Sequence, residues 1–151
     1  MRLVIQRVKR ASVAVEGECI SQIGSGLLVL AGVSHDDTPF DARYLAAKTS
    51  NLRIFEDEDG KMNRSVAEVG GEILSVSQFT LYGDCAKGNR PSFIQAARPA
   101  QGEALFDEYV QALEKLGFSP HTGRFGAEMQ VELLNDGPVT IILESTGRTK
   151  E

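Results

Sequence analysis

Only two cysteines, Cys19 and Cys85, occur in the 151 residues, far apart and with no neighbouring partner. The spacings of zinc sites and thioredoxin-type pairs are therefore missing, and two isolated thiols fit a reduced, cytoplasmic setting. Long apolar runs are missing as well. The longest, residues 26–33, falls far short of the roughly 20 residues that span a bilayer, so no membrane partner is expected. The amino terminus alternates like a strand and lacks the apolar core and cleavage site of a secretory signal. Positive charge is in deficit: 16 Lys and Arg face 21 Asp and Glu, a net −5, which argues against charge-driven, non-specific binding to nucleic acid. Glycines 24, 26, 70 and 71 open no helix after a strand, as a dinucleotide fingerprint requires, and no Gly-x-Ser-x-Gly surrounds Ser77. The acids of residues 56–59 lack the alternation of a calcium loop. His35 and His121 read as surface or capping residues, so neither metal nor cofactor is expected.

What is present describes a globular chain. Hydrophobic residues at 42% and charged residues at 25% are ordinary proportions, and the length fits a single domain, 1–151. A domain of this size buries about 70% of its unfolded surface, enough to hold together without disulfides. Strand patterns cover residues 3–8, 12–15, 20–23 and 27–33, read as an antiparallel meander. Thr38-Pro39 is an N-cap followed by proline, predicting a helix over 39–51 with Phe40, Tyr44, Ala47 and Asn51 on one face. A strand is expected over 53–56, an irregular loop over 61–71 and a half-buried strand over 72–79. Pro99 opens a second helix carrying Phe106, Tyr109, Val110, Leu113 and Leu116, and Gly117 stops it. Alternation around Met129, Val131 and Leu133, and again at Val139, Ile141 and Leu143, predicts a strand, turn, strand unit. The fold class is α+β: a curled, barrel-like antiparallel or mixed sheet with two main helices.

Two segments carry chemical interest. Ser77-Gln78-Phe79-Thr80 ends a strand with hydroxyls, an amide and backbone donors side by side, the raw material of an oxyanion site or simply a bonded strand end. Asn135-Asp136-Gly137-Pro138 carries a hairpin signal, yet its proline removes a donor where the returning strand should pair. Chemistry alone favours a trans turn there. A triad of Ser77, His121 and an aspartate has little support. Basic residues gather locally despite the net charge: Arg2, Arg7, Lys9 and Arg10 precede any acid, and only Asp84 opposes Lys87, Arg90 and Arg98.

In order and spacing, Met1-Arg2-Leu3-Val4-Ile5-Gln6-Arg7-Val8, Ser77-Gln78-Phe79-Thr80-Leu81-Tyr82-Gly83-Asp84, Lys87-Gly88-Asn89-Arg90-Pro91-Ser92-Phe93, Gly123-Arg124-Phe125-Gly126-Ala127 and Asn135-Asp136-Gly137-Pro138-Val139-Thr140 resemble the D-aminoacyl-tRNA deacylases across essentially the whole chain. The resemblance implies a homodimer, with active sites at the subunit interface, that hydrolyses the ester between a D-amino acid and the 3′ end of tRNA. It implies catalytic roles for Ser77, Gln78, Phe79 and Thr80, around the terminal adenosine and the ester. It further implies that a cis Gly137-Pro138 reaches into the partner's pocket, with Arg7 helping to hold it and Phe125 and Met129 completing the substrate-binding and chiral filter. Arg2, Lys9, Lys87 and Arg90 are the expected tRNA phosphate contacts.

An aminoacyl ester is already activated by its neighbouring hydroxyl and ammonium, so a positioned water and one or two oxyanion donors suffice. The donor is expected at the backbone of Phe79 or Thr80, and the base at the substrate's own 2′-hydroxyl; Thr80 as nucleophile is the competing mechanism. Proline locks φ, so a Gly-Pro wall placed where an L side chain would lie rejects L substrates and has no purchase on glycine. D-aminoacyl-tRNA and glycyl-tRNA, including tRNA-Ala mischarged with glycine, are therefore the expected substrates. The other readings are a serine or threonine hydrolase of small esters and a dimeric RNA-binding module without catalysis.

Overall fold

The computed structural model describes residues 1–145; residues 146–151 of the expected domain lie outside the described residues. The chain begins with one long strand, β1 (Arg2–Val15), that turns back through Glu16 and Gly17. Both turn residues have positive φ, 52° and 77°, as a two-residue type I′ hairpin requires. The returning chain forms β2 (Glu18–Ile23) and β3 (Gly26–Gly32), which pair with the far and near halves of β1 respectively. The expected meander is thus a single hairpin whose second arm is interrupted at Gly24-Ser25: β2 and β3 lie end to end along one edge of β1.

The rest of the sheet is mixed. β6 (Glu72–Ser77) runs parallel to β3, and the short β7 (His121–Thr122) runs parallel to β6. β8 (Gln130–Glu144) covers the other edge of β1 along nearly its whole length, antiparallel. Residues 135–138 do not reverse the chain. Both halves of β8 run in one direction along β1, and the register shifts opposite Arg7, so the expected hairpin turn is a bulge. A proline following Asp-Gly cannot donate to a returning strand, but within a bulge no ladder donor is needed. A separate small ribbon pairs β4 (Phe55–Glu56) with β5 (Met62–Arg64), where part of an irregular loop was expected.

Alternate side chains divide the sheet between two cores. Leu27, Val29 and Ile73 join the larger core beneath the helices, whereas Leu28, Leu74 and Val76 join a second one inside the curl. β6 is therefore buried on both faces, not half-buried, because it lies between two strands with packing above and below. Helix α1 (Pro39–Asn51) begins with Thr38 N–H donating to Asp41 Oδ2 at 2.8 Å. Its buried face is Ala42, Leu45, Ala46 and Thr49, rotated from the aromatic face expected; the two alanines permit close approach to α2 (Pro99–Lys115). The Thr49 hydroxyl meets that of buried Tyr109 at 3.0 Å. At the end of α2, Gly117 (φ 100°) donates to Glu114 O and Phe118 to Leu113 O, a Schellman closure. No helix among the described residues is long and apolar enough to cross a membrane.

Candidate active site

The parallel strands β3, β6 and β7 bring their carboxyl ends to one side of the sheet, where open α/β sheets commonly bind ligands. A cavity of about 590 Å³ opens there. Val33 follows β3; Val76, Ser77, Gln78 and Phe79 continue β6; Phe125, Met129 and Val131 come from the chain beyond β7. The far wall is the segment from Phe93 to the start of α2, including Arg98, Pro99 and Gly102. Ala97 N–H donates to Val33 O and His35 N–H to Gln95 O, which fixes this wall to the end of β3.

β6 ends at Ser77 and passes into a 3₁₀ turn, Phe79–Tyr82, two residues earlier than the expected strand end. Gln78 N–H still donates to Ala31 O at 2.8 Å, so the sheet grips the chain immediately before the turn. Phe79 and Thr80 occupy its opening positions, whose N–H groups have no acceptor within a helical turn. Phe79 is 57% exposed, and its ring meets Phe93 edge-to-face at 5.1 Å. Thr80 Oγ1 accepts a short hydrogen bond from Gln78 Nε2. The turn is also held from behind. Arg2 donates to Leu81 O at 2.7 Å, pairs with Glu144, and lies over the Tyr82 ring at 4.8 Å. Burial, reinforced by the nearby Asp37 charge, pushes the Tyr82 hydroxyl far above its usual range, so it takes no part as a base. Met129 is seated by the absence of a side chain at Gly123, where a Cβ would fall 2.5 Å from its sulfur.

The bulge of β8 is built around buried Arg7. Its guanidinium donates to Ile54 O at 2.7 Å and Asp136 O at 3.0 Å, while Asn135 Nδ2 donates to Arg7 O and Val139 O. The Gly137–Pro138 peptide is cis, as the resemblance implied and against the trans turn that local chemistry favours. Both residues are exposed and neither lines the cavity of its own chain. Ser77, Gln78, Phe79, Phe125 and Met129 are thus brought together on one cavity wall, Thr80 follows Phe79 in the turn without lining the cavity, and the Gly-Pro element stands elsewhere. Lys9, Lys87 and Arg90 are exposed on the surface. His121 does not line the cavity, so no triad with Ser77 assembles.

Among the described residues, the cavity wall contains no Asp, Glu, His, Cys, Tyr or Lys, and Arg98 is the single charged residue in it. Phe93, Arg98 and Gly102 were not anticipated as site residues. The cluster of Lys87, Arg90 and Arg98, opposed only by Asp84 in the sequence, was the signal that pointed towards one of them.

Fold and cavity define a small α+β protein with a largely apolar pocket at the carboxyl end of a curled, mixed sheet. Residues 4–144 match the family model described as D-Tyr-tRNA(Tyr) deacylase, and the chain belongs to that family. It is 59% identical to the D-aminoacyl-tRNA deacylase of Halalkalibacterium halodurans over 96% of this chain and 99% of the relative. Its identity to the same-named protein of Bacillus cereus (strain B4264) is 58%, again over 96% and 99%. A solved structure titled c-Myc DNA Unwinding Element Binding Protein superposes with a TM-score of 0.91 at 48% identity, covering 96% of this chain and 99% of that one. A probable eukaryotic D-amino acid tRNA deacylase shares the fold at a TM-score of 0.80 and 19% identity, covering 95% of this chain and 98% of that one.

Proposed function

We propose that this chain hydrolyses the ester joining a D-amino acid to the 3′ end of tRNA, releasing both, and spares L-aminoacyl-tRNA. The observation that carries the mechanism is the composition of the cavity wall: backbone donors, the Ser77 hydroxyl and one amide, with no side chain among the described residues able to act as a general base near neutrality. The chemistry then falls to the substrate. Its 2′-hydroxyl directs a water onto the ester carbonyl, and the Phe79 or Thr80 N–H stabilises the developing oxyanion. Thr80 Oγ1, already an acceptor from Gln78, has no base to activate it as a nucleophile.

The same proposal makes the working enzyme a homodimer. Gly137 and Pro138 stand at the surface, away from their own cavity, on a bulge pinned by Arg7 and Asn135. Leu134 and Ile142 flank the bulge at 45% and 64% exposure, apolar area suited to burial against a second copy. From there the Gly-Pro element enters the partner's cavity and occupies the space an L side chain would need, leaving D-aminoacyl and glycyl esters free to bind. Exposed Lys9, Lys87 and Arg90 meet tRNA phosphates; Arg2 joins them only by releasing one of its present partners. Charged tRNA places the work in the cytoplasm, where translation runs. The test is hydrolysis of matched D, L and glycyl esters of tRNA, with a simple amino-acid ester as control. Release from the D and glycyl tRNA esters alone is expected. Efficient cleavage of the L ester refutes the chiral filter, and cleavage of the simple ester but not of charged tRNA refutes the deacylase reading.

A further inference from the structure

Among the described residues, Arg98 is the one charged residue lining a cavity whose other walls are apolar side chains, the Ser77 hydroxyl, an amide and backbone. The residue is not spent on the fold. It holds the N-cap position of α2 without capping the helix through its side chain, and among the described residues that side chain has no ion-pair or hydrogen-bond partner. It is exposed, and the backbone that carries it is fixed by Ala97 N–H to Val33 O and Gly102 N–H to Arg98 O, so the side chain springs from a defined point on the cavity rim. A lone, permanently charged fork beside an apolar pocket suits one kind of group, a phosphate or carboxylate that enters together with an apolar or aromatic body.

We propose that Arg98 binds the phosphodiester on the 5′ side of the terminal nucleoside, and so sets where the ester falls against the turn at Phe79. This inference rests on the deacylase reading. The substrate enters with a cationic ammonium on the aminoacyl group, so its anion nearest the reacting bond is that phosphate. Phosphate and ester hang from the same ribose. Fixing one therefore limits where the other lies, and a contact far from the reacting bond raises its local concentration at the oxyanion donors. Arg98 is in this sense a substrate-binding residue that ranks esters by what precedes the last nucleoside. The competing source of an anion is the carboxylate of the released amino acid, which would make Arg98 a product site.

The experiment compares two small substrates with the full-length wild type, Arg98→Gln and Arg98→Lys: D-aminoacyl adenosine, and the same ester carrying a 5′-phosphodiester to one further nucleoside. Wild type is expected to favour the phosphodiester by roughly tenfold or more in kcat/KM, the scale of one charge-assisted hydrogen bond. Arg98→Gln should lose that preference, its kcat/KM falling roughly tenfold further on the phosphodiester than on the bare nucleoside ester, and Arg98→Lys should recover part of it. Melting temperature serves as the folding control. An equal fall on both substrates, or an undiminished preference in Arg98→Gln, overturns the proposal. So does a variant whose only change is weaker inhibition by free D-amino acid, which assigns Arg98 to the product carboxylate instead. If wild type deacylates charged tRNA but neither small ester, the comparison is repeated on charged tRNA against charged tRNA carrying an uncharged methylphosphonate at that one linkage, with the same outcomes. Failure of wild type on every ester of a D-amino acid would count against the deacylase reading itself, a result distinct from any of these.

Discussion

Arg7→Ala is the substitution with the largest consequence that the geometry allows to be estimated. The guanidinium is 6% exposed and makes two charge-assisted hydrogen bonds to carbonyl oxygens, Ile54 O at 2.7 Å and Asp136 O at 3.0 Å. Bonds of this type contribute about 1.5–3 kcal/mol each. They are not lost equally. Ile54 is buried, so its carbonyl would be left without a donor, whereas the Asp136 carbonyl lies near the surface where water replaces Arg7. The accompanying ion pair to Asp136 Oδ2, at 3.6 Å with that carboxylate 38% exposed, adds little. The expected loss is about 3–4 kcal/mol, or roughly 6–15 °C in melting temperature for a chain of this size. Arg7→Lys, keeping the charge but only one reach, should lose about half as much. Thermal and urea denaturation followed by circular dichroism measure both variants, with deacylation of D-aminoacyl-tRNA assayed below the lower melting point. Because Arg7 and Asn135 together hold the bulge bearing Gly137 and Pro138, activity should fall in the folded Arg7→Ala protein as well. A melting point within 2 °C of wild type, accompanied by undiminished deacylation, would show that the bulge is held by something else.

Other outcomes follow from the same coordinates. Thr80→Ala should keep deacylation within roughly tenfold, measured by single-turnover kinetics, because its hydroxyl only accepts from Gln78; a fall of several orders of magnitude would restore Thr80 as nucleophile. With no base in the cavity, kcat/KM between about pH 5 and 9 should show no inflection beyond that of the substrate's own ammonium, near 7–8; a second, enzyme-derived limb would contradict the water mechanism. The Lys87→Ala, Arg90→Ala double variant should flatten the dependence of log affinity on log salt by roughly 0.7–0.9 for each phosphate contact removed, and an unchanged slope rules both out. Gly26→Ala would place a Cβ 1.9 Å from Glu72 O, so it should force β3 from β6 and lower stability by about 2–4 kcal/mol; a near-neutral melt would mean that the two strands separate freely there.

How legible these features were depended on how local their causes are. Both helices start and stop where the sequence suggested, because Thr38-Pro39, Pro99 and Gly117 act within a turn of themselves. The face of α1 that the aromatic spacing of Phe40 and Tyr44 marks is not the buried one; small Ala42 and Ala46 are what let a second helix come close. Residues 135–138 carry a local reversal signal that loses to a distant one, since the two halves of β8 each find β1 and its length sets their direction. Ser77, Gln78 and Phe79 of the cavity wall were legible because they lie consecutively at one strand end. Phe93 and Arg98 were not. They sit in an aperiodic stretch carried to the cavity by a single bridge between Ser34 and Ala96 and by bonds to Val33 and His35, contacts that no pattern within residues 84–98 encodes.

The pairing of β1 with β8 has a consequence for how the protein is made. Arg2 lies opposite Glu144, and Ala14 opposite Gln130, so once β1 has left the ribosome it receives its second neighbour only after more than a hundred further residues have been made. At synthesis rates of about 5–20 residues per second, that interval is roughly 6–25 s. During it the hairpin of β1 with β2 and β3 can form, but one edge of β1 remains open to any extended segment that meets it. Arg2, Lys9 and Arg10 lie along that strand, and their like charges discourage two nascent chains from joining through it. The Gly137–Pro138 bulge belongs to β8 too, so a chain released before β8 has emerged has neither its full sheet nor the element proposed to sort one mirror image from the other.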